Sequence, residues 1–236
     1  MARVLVTGSS RGIGAAIRDQ LELRGAAVIG HARMAYDGAS IGADLAHAGA
    51  ATDLWNEAME RAQGTVDAVI LNAGLFEASP LDTDDAGWLA CWEKTMAINL
   101  TSAAELARLA VLHWQKRGTG GRLVHIASRA GHRGDSPAHW QYAAAKGGML
   151  AMHKTIARAY AADNILSFAI APGFTDTAMA GDYLESRGGA GLLADIPLGR
   201  VATPEEIATI ATFCALDAPA SMTGATIDAN GASYVR

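Results

Sequence analysis

The chain has 236 residues, half of them hydrophobic, and its 24 carboxylates against 19 lysines and arginines give a net charge of -5. No basic cluster could neutralise a nucleic-acid backbone, and no apolar run reaches the ~18 residues of a membrane span, so neither is an expected partner. The first apolar run begins too early for a signal peptide, which favours a cytoplasmic protein. Cys91 and Cys214 lie outside any CxxC pattern and are expected to be reduced, buried thiols.

Short runs rich in Val and Ile alternate with alanine-rich segments of helical period, which is typical of strand–helix–strand units. We expect strands at residues 3–7, 26–30, 66–71, 121–127, 165–171 and 225–229, with a weaker one at 41–43. Helices are expected at residues 13–24, 48–63, 87–115, 138–161 and 204–216. This pattern predicts a doubly wound α/β (Rossmann) fold of about seven parallel strands with helices on both faces. No linker marks a boundary, so residues 1–236 are expected to form a single domain, with the glycine-rich segment 186–200 as a flap.

Directly after the first strand comes "TGSSRGIG", residues 7–14. Its glycines allow a tight turn and let the backbone approach a diphosphate at the N-terminus of the next helix. The spacing differs from GxGxxG, and a glycine turn at this point can be only a turn. Its position after the first strand of a parallel sheet nevertheless favours phosphate binding.

Several motifs together resemble the short-chain dehydrogenase/reductase family over essentially the whole chain. They are TGxxxGIG after the first strand, Asn72-Ala73-Gly74 after the fourth, Asn99 in a long helix, Ser128 after the fifth, Tyr142 and Lys146, and Pro172-Gly173 after the sixth. The last forty residues look most like the 3-oxoacyl-carrier-protein reductases and their relatives. The resemblance implies a nicotinamide-dependent oxidoreductase that transfers a hydride to or from a carbonyl or alcohol carbon.

The resemblance also implies four catalytic residues. Tyr142 would act as the acid, Ser128 would steady the substrate oxygen, and Lys146 would tune Tyr142 and hold the nicotinamide ribose. Asn99 would perturb its helix so that its backbone carbonyl completes a proton relay. Tyr142 follows Ser128 one position further than is common in the family, so the loop between them is expected to have gained one residue.

The spacing of Tyr142 and Lys146 suits this chemistry, because residues four apart project from one face of a helix. A tyrosine pKa of ~10 must fall by about 3 units for action near neutral pH, which is worth ~4 kcal/mol. A lysine about 4 Å away at an effective dielectric of ~20 supplies about that much, so we expect Lys146, helped by the positive ring of an oxidised nicotinamide, to lower the pKa of Tyr142. The alternative is an ordinary half-buried tyrosine and a surface lysine on an alanine-rich helix.

The cofactor is expected to be NADP rather than NAD. The acidic residue with which NAD enzymes bind the ribose is replaced by Ala32, followed by Arg33, while Arg11 is a second guanidinium suited to phosphate. His31 is a further candidate contact, and the short segment between Arg33 and Asp44 is expected to leave the adenine end more open. The expected cofactor-binding residues are Gly8, Ser10, Arg11, Gly12, Ile13, Gly14, Ala32, Arg33, Asp44, Leu45, Asn72, Ala73, Gly74, Tyr142, Lys146, Pro172, Gly173, Phe174, Thr175 and Thr177.

The substrate is expected to be a small molecule carrying a ketone or a 3-oxoacyl group. The pocket is expected to be mainly apolar, lined by Leu75, Phe76, Ala130, Trp140, Phe174, Met179 and Tyr183. Oxidation of a sugar or polyol remains open, as does a non-catalytic dinucleotide-binding protein. No HExxH or similar cluster indicates a metal. Family members usually form tetramers, so a homotetramer, or else a dimer, is expected.

Overall fold

The computed structural model describes residues 1–177 and 189–236, and within them seven parallel strands form one sheet. The strands are β1 (Arg3–Val6), β2 (Ala27–Ala32), β3 (Ile41–Gly42), β4 (Ala68–Leu71), β5 (Gly121–Ile126), β6 (Ile165–Pro172) and β7 (Thr226–Ala229). They pair in the order β3-β2-β1-β4-β5-β6-β7. The predicted parallel α/β fold is confirmed, and the direction of strand addition reverses between β1 and β4.

The described helices connect these strands. They are α1 (Gly12–Leu23), α2 (Ala50–Arg61), α3 (Asp85–Met96), α4 (Ser102–Arg117), α5 (Ala130–Arg133), α6 (Trp140–Tyr160), α7 (Gly189–Ala194) and α8 (Pro204–Leu216). The prediction of one helix over residues 87–115 is wrong, because a π-helical segment, Ala97–Thr101, separates α3 from α4. Helices α5 and α7 are too short to show a period in the sequence. Helix α7 occupies part of the predicted flap, of which residues 186–188 lie outside the described residues.

The core lies on both faces of the sheet. Successive strand side chains point to opposite faces, so Leu5 packs on the side of α2, α4 and α6, whereas Val4 packs on the side of α1 and α8. Strands covered on both faces are apolar throughout, which is why β4 and β6 consist of consecutive buried residues. The helices cover the two faces of the sheet, so the loops that follow the strands lie at its carboxyl edge.

Helix α8 begins with a capping box that supports one of these loops. The Thr203 hydroxyl accepts a hydrogen bond from the Glu206 N–H (3.3 Å), and the Glu206 carboxylate accepts one from the Thr203 N–H (2.8 Å). Just before this cap, Ala202 forms a parallel bridge with Thr175 in the loop after β6. The start of α8 therefore fixes the loop that follows β6.

The two cysteines are free thiols in different surroundings. Cys214 is buried in α8, and burial raises its pKa to about 11. Cys91 is only half-buried, so the expectation of a buried thiol is correct for Cys214 alone. A raised thiol pKa makes Cys214 a poor nucleophile at neutral pH.

Among residues 1–177 and 189–236, no helix is long and apolar enough to cross a membrane. The same ranges hold no group of three or more His, Cys, Asp or Glu side chains placed to bind a metal ion. Several of the acidic side chains instead form surface ion pairs, such as Arg24 with Asp217 and Arg61 with Glu57.

Candidate active site

A cavity of about 1330 Å³ runs along the carboxyl edge of the sheet, across the point where the strand order reverses. Parallel sheets bind ligands in this place. The cavity is lined by all the site residues expected from the sequence except Asn99: Gly8, Ser10, Arg11, Gly12, Ile13, Gly14, Ala32, Arg33, Asp44, Leu45, Asn72, Ala73, Gly74, Ser128, Tyr142, Lys146, Pro172, Gly173, Phe174, Thr175 and Thr177. The fold thus brings together residues that are up to 169 positions apart, from Gly8 to Thr177.

The glycine loop after β1 is tied to the loop after β4. The Thr7 hydroxyl accepts hydrogen bonds from the N–H groups of Asn72 and Ala73 (2.9 and 3.0 Å). The Asn72 side-chain amide donates to the carbonyl oxygens of Thr7 and Gly8 (2.9 and 3.1 Å). A Cβ at Gly14 would clash with the Gly8 carbonyl and the Asn72 amide. The start of α1 therefore packs against the glycine loop too closely for a side chain at Gly14, and this loop with the N-terminus of α1, here called the glycine cradle, suits a diphosphate because the first N–H groups of a helix bind anions.

Arginines and a small residue meet at the far end of the cavity. Ala32 ends β2 and is buried, whereas Arg33 and Arg11 are exposed at the cavity lining. Asp44, in the loop after β3, accepts a hydrogen bond from the Ala46 N–H (3.0 Å). This end thus presents two guanidinium groups and no carboxylate at the tip of β2.

His31 supports the glycine loop, and the expectation that it would contact the cofactor is not supported. Its Nδ1 accepts a hydrogen bond from the Gly8 N–H (3.2 Å), and its Nε2 lies 2.9 Å from the Ala43 carbonyl oxygen. A carbonyl can only accept, so Nε2 carries the proton and the imidazole is neutral. Burial lowers the His31 pKa, in keeping with this assignment. Both ring nitrogens therefore form hydrogen bonds with the backbone of the protein.

The short segment after β2 is fastened by Tyr36, and the openness of the adenine end stays a prediction. The Tyr36 hydroxyl lies 3.0 Å from the Ser9 hydroxyl in the glycine loop, and the Arg18 guanidinium stacks 5.5 Å from the Tyr36 ring centroid. Gly30 makes this possible, because a Cβ there would clash with the Tyr36 hydroxyl. The segment is thereby fastened to β2, to α1 and to the glycine loop at once.

Asn99 lies in the π-helical segment and supports the loop after β4. Its side-chain oxygen accepts from the Leu75 N–H (2.7 Å), and its amide donates to the Leu75 carbonyl (2.8 Å). It is fully buried. The helix is thus perturbed at Asn99 as the resemblance implies, but the side chain acts on the cavity through Leu75.

Ser128, Tyr142 and Lys146 lie at the β5 end of the cavity. Ser128 follows β5, and its hydroxyl accepts a hydrogen bond from the Ala130 N–H (3.1 Å) at the start of α5. Lys146 is buried and donates to the Ile126 carbonyl (2.7 Å), which places its ammonium 5.8 Å from the centroid of the Tyr142 ring. All three side chains line the cavity.

The protein's own groups do not lower the pKa of Tyr142, and the predicted fall, which also relied on the positive ring of an oxidised nicotinamide, stays a prediction. Burial raises the pKa of Tyr142 to about 12, with an opposing contribution from the Ser128 hydroxyl and a further rise caused by Asp135. Burial also lowers the pKa of Lys146 to about 8. Burial is thus the main cause of both shifts, and the Lys146 ammonium donates its hydrogen bond to Ile126.

The substrate end differs from the expected apolar pocket. Leu75, Phe76 and Phe174 line the cavity as expected, but Ala130 and Trp140 do not, since Ala130 is buried and Trp140 is 52% exposed. Met179 and Tyr183 lie outside the described residues. Charged and polar groups also line this end, namely Lys94, Arg129, Arg133, Asp135, Ser136 and Asp195.

Sequence reasoning missed His139. Its ring is buried and stacks on Phe76, with the ring centroids 4.0 Å apart. A single histidine in a loop before a helix carries no pattern from which this contact could be predicted. The Tyr36 contact had one signal, since a glycine inside a strand, here Gly30, often marks a close approach by another group.

Known proteins match this chain over nearly its whole length. A family model described as enoyl-(acyl carrier protein) reductase matches residues 8–231. The 3-oxoacyl-[acyl-carrier-protein] reductase FabG of Pseudomonas aeruginosa is 36% identical over 246 residues, covering 98% of this chain and 96% of the relative. The protein of the same name from Haemophilus influenzae is 34% identical over 242 residues, covering 98% and 97%.

The chain belongs to the short-chain dehydrogenase/reductase family. Membership confirms the predicted oxidoreductase chemistry on CH–OH or C=O groups and the predicted class of cofactor, a nicotinamide dinucleotide. In this member the glycine cradle suits such a dinucleotide, since its residues line the cavity where the strand order reverses.

Proposed function

We propose that this protein is an NADP-dependent reductase of a ketone or 3-oxoacyl substrate, with Tyr142 as the proton donor. The observation that carries the proposal is the grouping of Ser128, Tyr142 and Lys146 on one cavity with Arg11 and Arg33. The first three residues suit carbonyl chemistry, and the two arginines suit an extra phosphate on the cofactor.

The cradle at Gly14 would hold the diphosphate, and Arg11 and Arg33 would hold the 2′-phosphate. A carboxylate at the tip of β2 would repel that phosphate, and Ala32 carries none. Lys146 and Tyr142 would hold the nicotinamide ribose. When bound, the dinucleotide supplies the hydride.

The chain's own residues supply the proton and the oxygen contacts. With a pKa of about 12, Tyr142 stays protonated at neutral pH and so holds the proton that the carbonyl oxygen needs. It can still protonate that oxygen, because a developing alkoxide is a much stronger base than a phenolate. The Ser128 hydroxyl donates a hydrogen bond to the same oxygen. The Lys146 ammonium stabilises the phenolate left on Tyr142.

The relatives guide the choice of substrate. Their name describes reductases of a 3-oxoacyl group on an acyl-carrier protein. A 3-oxoacyl thioester is therefore the first substrate to test. In this chain the turn before β6 contains Asp163, whose carboxylate accepts a hydrogen bond from Gln115 (2.8 Å), and this negative charge is unfavourable for an acidic carrier. A 3-oxo compound without an anionic carrier is not subject to this repulsion.

The test is a screen for consumption of NADPH or NADH with acetoacetyl-CoA, simple ketones and an enoyl-CoA, and for the reverse reaction with polyols. We expect NADPH-dependent turnover of a 3-oxo compound. Tyr142→Phe should abolish it, whereas Tyr160→Phe, on the same helix, should leave it intact. Arg33→Asp should weaken the preference for NADPH. Unchanged turnover in Tyr142→Phe would refute the role of Tyr142, and turnover only of polyols or of the enoyl thioester would refute the substrate class.

We also propose that residues 1–236 form one domain and that the protein is a homotetramer. A single sheet carries both core layers, which supports one domain. Leu89 on α3 and Leu112 on α4 are about half exposed, which supports burial against another copy. Light scattering at working concentration would measure the assembly, and a monomeric mass would refute it.

A further inference from the structure

Two loops join to form the wall of the cavity next to Tyr142. One is the loop after β4, and the other is the segment between α5 and α6, which the family resemblance predicts to be one residue longer than usual. The Ser79 N–H donates to the Ala138 carbonyl (2.8 Å), and the Gln141 amide donates to the Glu77 carbonyl (2.8 Å). The two halves of the wall are therefore hydrogen-bonded to each other, although they lie about 60 residues apart in the chain.

An aromatic contact connects this wall to Tyr142. The Phe76 ring is stacked on the His139 ring, with centroids 4.0 Å apart and an interplanar angle of 5°. The Phe76 and Tyr142 rings make an edge-to-face contact, with their centroids 4.8 Å apart and an interplanar angle of 80°. Phe76 thus lies between a buried histidine and the ring of the proposed acid.

His139 is itself held in place at the start of α6. Its Nδ1 lies 2.7 Å from the Ser136 hydroxyl, and the Ser136 N–H donates to the Asp135 carboxylate (2.7 Å). Its backbone N–H donates to the Ser136 carbonyl (2.9 Å). The imidazole plane is therefore fixed by the loop that precedes the helix, and with it the plane on which Phe76 stacks.

We propose that Phe76 and His139 are positioning residues that hold the Tyr142 ring in its reactive orientation and keep water from its far side. The contact leaves Tyr142 little freedom to rotate away from Ser128, since Phe76 occupies the space beside its ring. The proposal rests on the proposed role of Tyr142 as proton donor. A small displacement of a proton donor costs one to two orders of magnitude in rate, so loss of the pair should lower kcat by about 10-fold or more.

The variants His139→Ala, His139→Phe and Phe76→Leu test this, with His113→Ala as the matched control. His113 is another histidine in an aromatic contact, with its ring centroid 5.8 Å from that of Trp55, and it lies outside the cavity lining. We expect His139→Ala and Phe76→Leu each to lower kcat by about 10-fold with the KM for NADPH unchanged. His139→Phe keeps a flat ring and should recover most of the rate. The double variant His139→Ala/Phe76→Leu should be little worse than either single one, because both remove the same support.

A second measurement does not depend on turnover. The ionisation of Tyr142 can be followed by NMR of the chain carrying ¹³C-labelled tyrosine, with the Tyr142 signal assigned by its loss in Tyr142→Phe. Burial raises the pKa of Tyr142 to about 12, so its signal should stay that of the phenol at about pH 10. In His139→Ala and Phe76→Leu the ring should meet water, and the phenolate should form at lower pH. His113→Ala should behave like the wild type.

The outcomes separate this inference from the proposed function. If Tyr142→Phe retains activity, the proposed function fails, and the NMR titration still decides whether the pair shields Tyr142. If Tyr142 is essential but the His139 and Phe76 variants keep kcat and the wild-type titration, the positioning role is wrong. Equal loss of kcat in His113→Ala would also overturn it, since the effect would then be general destabilisation.

Discussion

Acid should destabilise this protein through two histidines buried beneath the catalytic residues. The Ser167 hydroxyl, in β6, lies 3.1 Å from His125 Nε2 and 2.9 Å from His153 Nδ1. His153 Nε2 lies 3.2 Å from the Gly224 carbonyl oxygen. Both histidines are fully buried, and burial is the main reason that the pKa falls to about 3 for His125 and about 4 for His153. The repulsion between the two rings and the nearby Lys146 lower the His125 pKa further.

Acid lowers the stability because the unfolded chain takes up protons on these histidines at a higher pH than the folded protein does. Each histidine is neutral in the folded protein down to about pH 4, whereas in the unfolded chain it takes up a proton below its ordinary pKa of ~6.5. The contribution of each neutral histidine to the free energy of unfolding is therefore present above about pH 6.5. It is lost as the pH falls from there towards the pKa of the histidine in the folded protein. Between about pH 6.5 and about pH 5 the loss is ~2 kcal/mol per histidine, or ~4 kcal/mol for both. That is a large part of the usual stability of a domain.

Urea unfolding at about pH 7.5 and about pH 5 measures this difference. The double variant His125→Asn/His153→Asn keeps groups that can bind the Ser167 hydroxyl but do not titrate. Its stability should fall by ~4 kcal/mol less than that of the wild type between the two pH values, and each single variant should lie about halfway. The exposed His47→Asn is the control and should behave like the wild type. If the wild type and the double variant lose the same free energy, burial of the neutral histidines is not the cause.

Three further changes test the glycine cradle, the lysine and the helix cap. Gly14→Ala should abolish dinucleotide binding in a fluorescence titration, because its Cβ would clash with the Gly8 carbonyl, whereas Gly38→Ala, with open space around it, should bind normally. Normal binding by Gly14→Ala would show that the loop can move aside. The rate of carbonyl reduction should fall as the pH rises through about 8, where Lys146 loses its proton, and Lys146→Arg should extend any remaining activity to higher pH because arginine stays charged. An unchanged pH profile in Lys146→Arg would assign that loss to another group. Thr203→Ala should lower the free energy of unfolding by ~1 kcal/mol and Thr203→Ser by much less, as measured in urea, and equal effects would exclude the cap hydrogen bond as the cause.

The fold and the grouping of the site could be predicted because both depend on short-range patterns. Apolar runs separated by helical segments predicted the parallel strands, and the strand ends predicted which residues would meet at the carboxyl edge. Tyr142 and Lys146 share a helix face because of their spacing alone, and Ser128 reaches the cavity because it follows a strand. Predictions from helical spacing and from strand ends do not depend on how distant segments pack.

The errors concern quantities that depend on packing between distant segments. Burial raises the pKa of Tyr142, whose ring contacts Phe76, a residue far away in the chain. The segment after β2 is fastened to the glycine loop because the Tyr36 hydroxyl contacts the Ser9 hydroxyl. Contacts between distant segments leave no periodic pattern in the sequence. The direction of a pKa shift that depends on them therefore could not be predicted from the sequence.

The π-helical turn between α3 and α4 makes this part of the chain sensitive to deletion. A π-helical turn holds one residue more than an α-helical turn, so the segment Ala97–Thr101 contains one residue beyond what a continuous helix would need. Removing it would rotate α4 by about 100° relative to α3. If α3 kept its position, Leu106 and Trp114 on α4 would turn away from the core. If α4 kept its position, Lys94 on α3 would turn away from the cavity. Length changes here should be tolerated only as compensating pairs, whereas a surface loop accepts them singly.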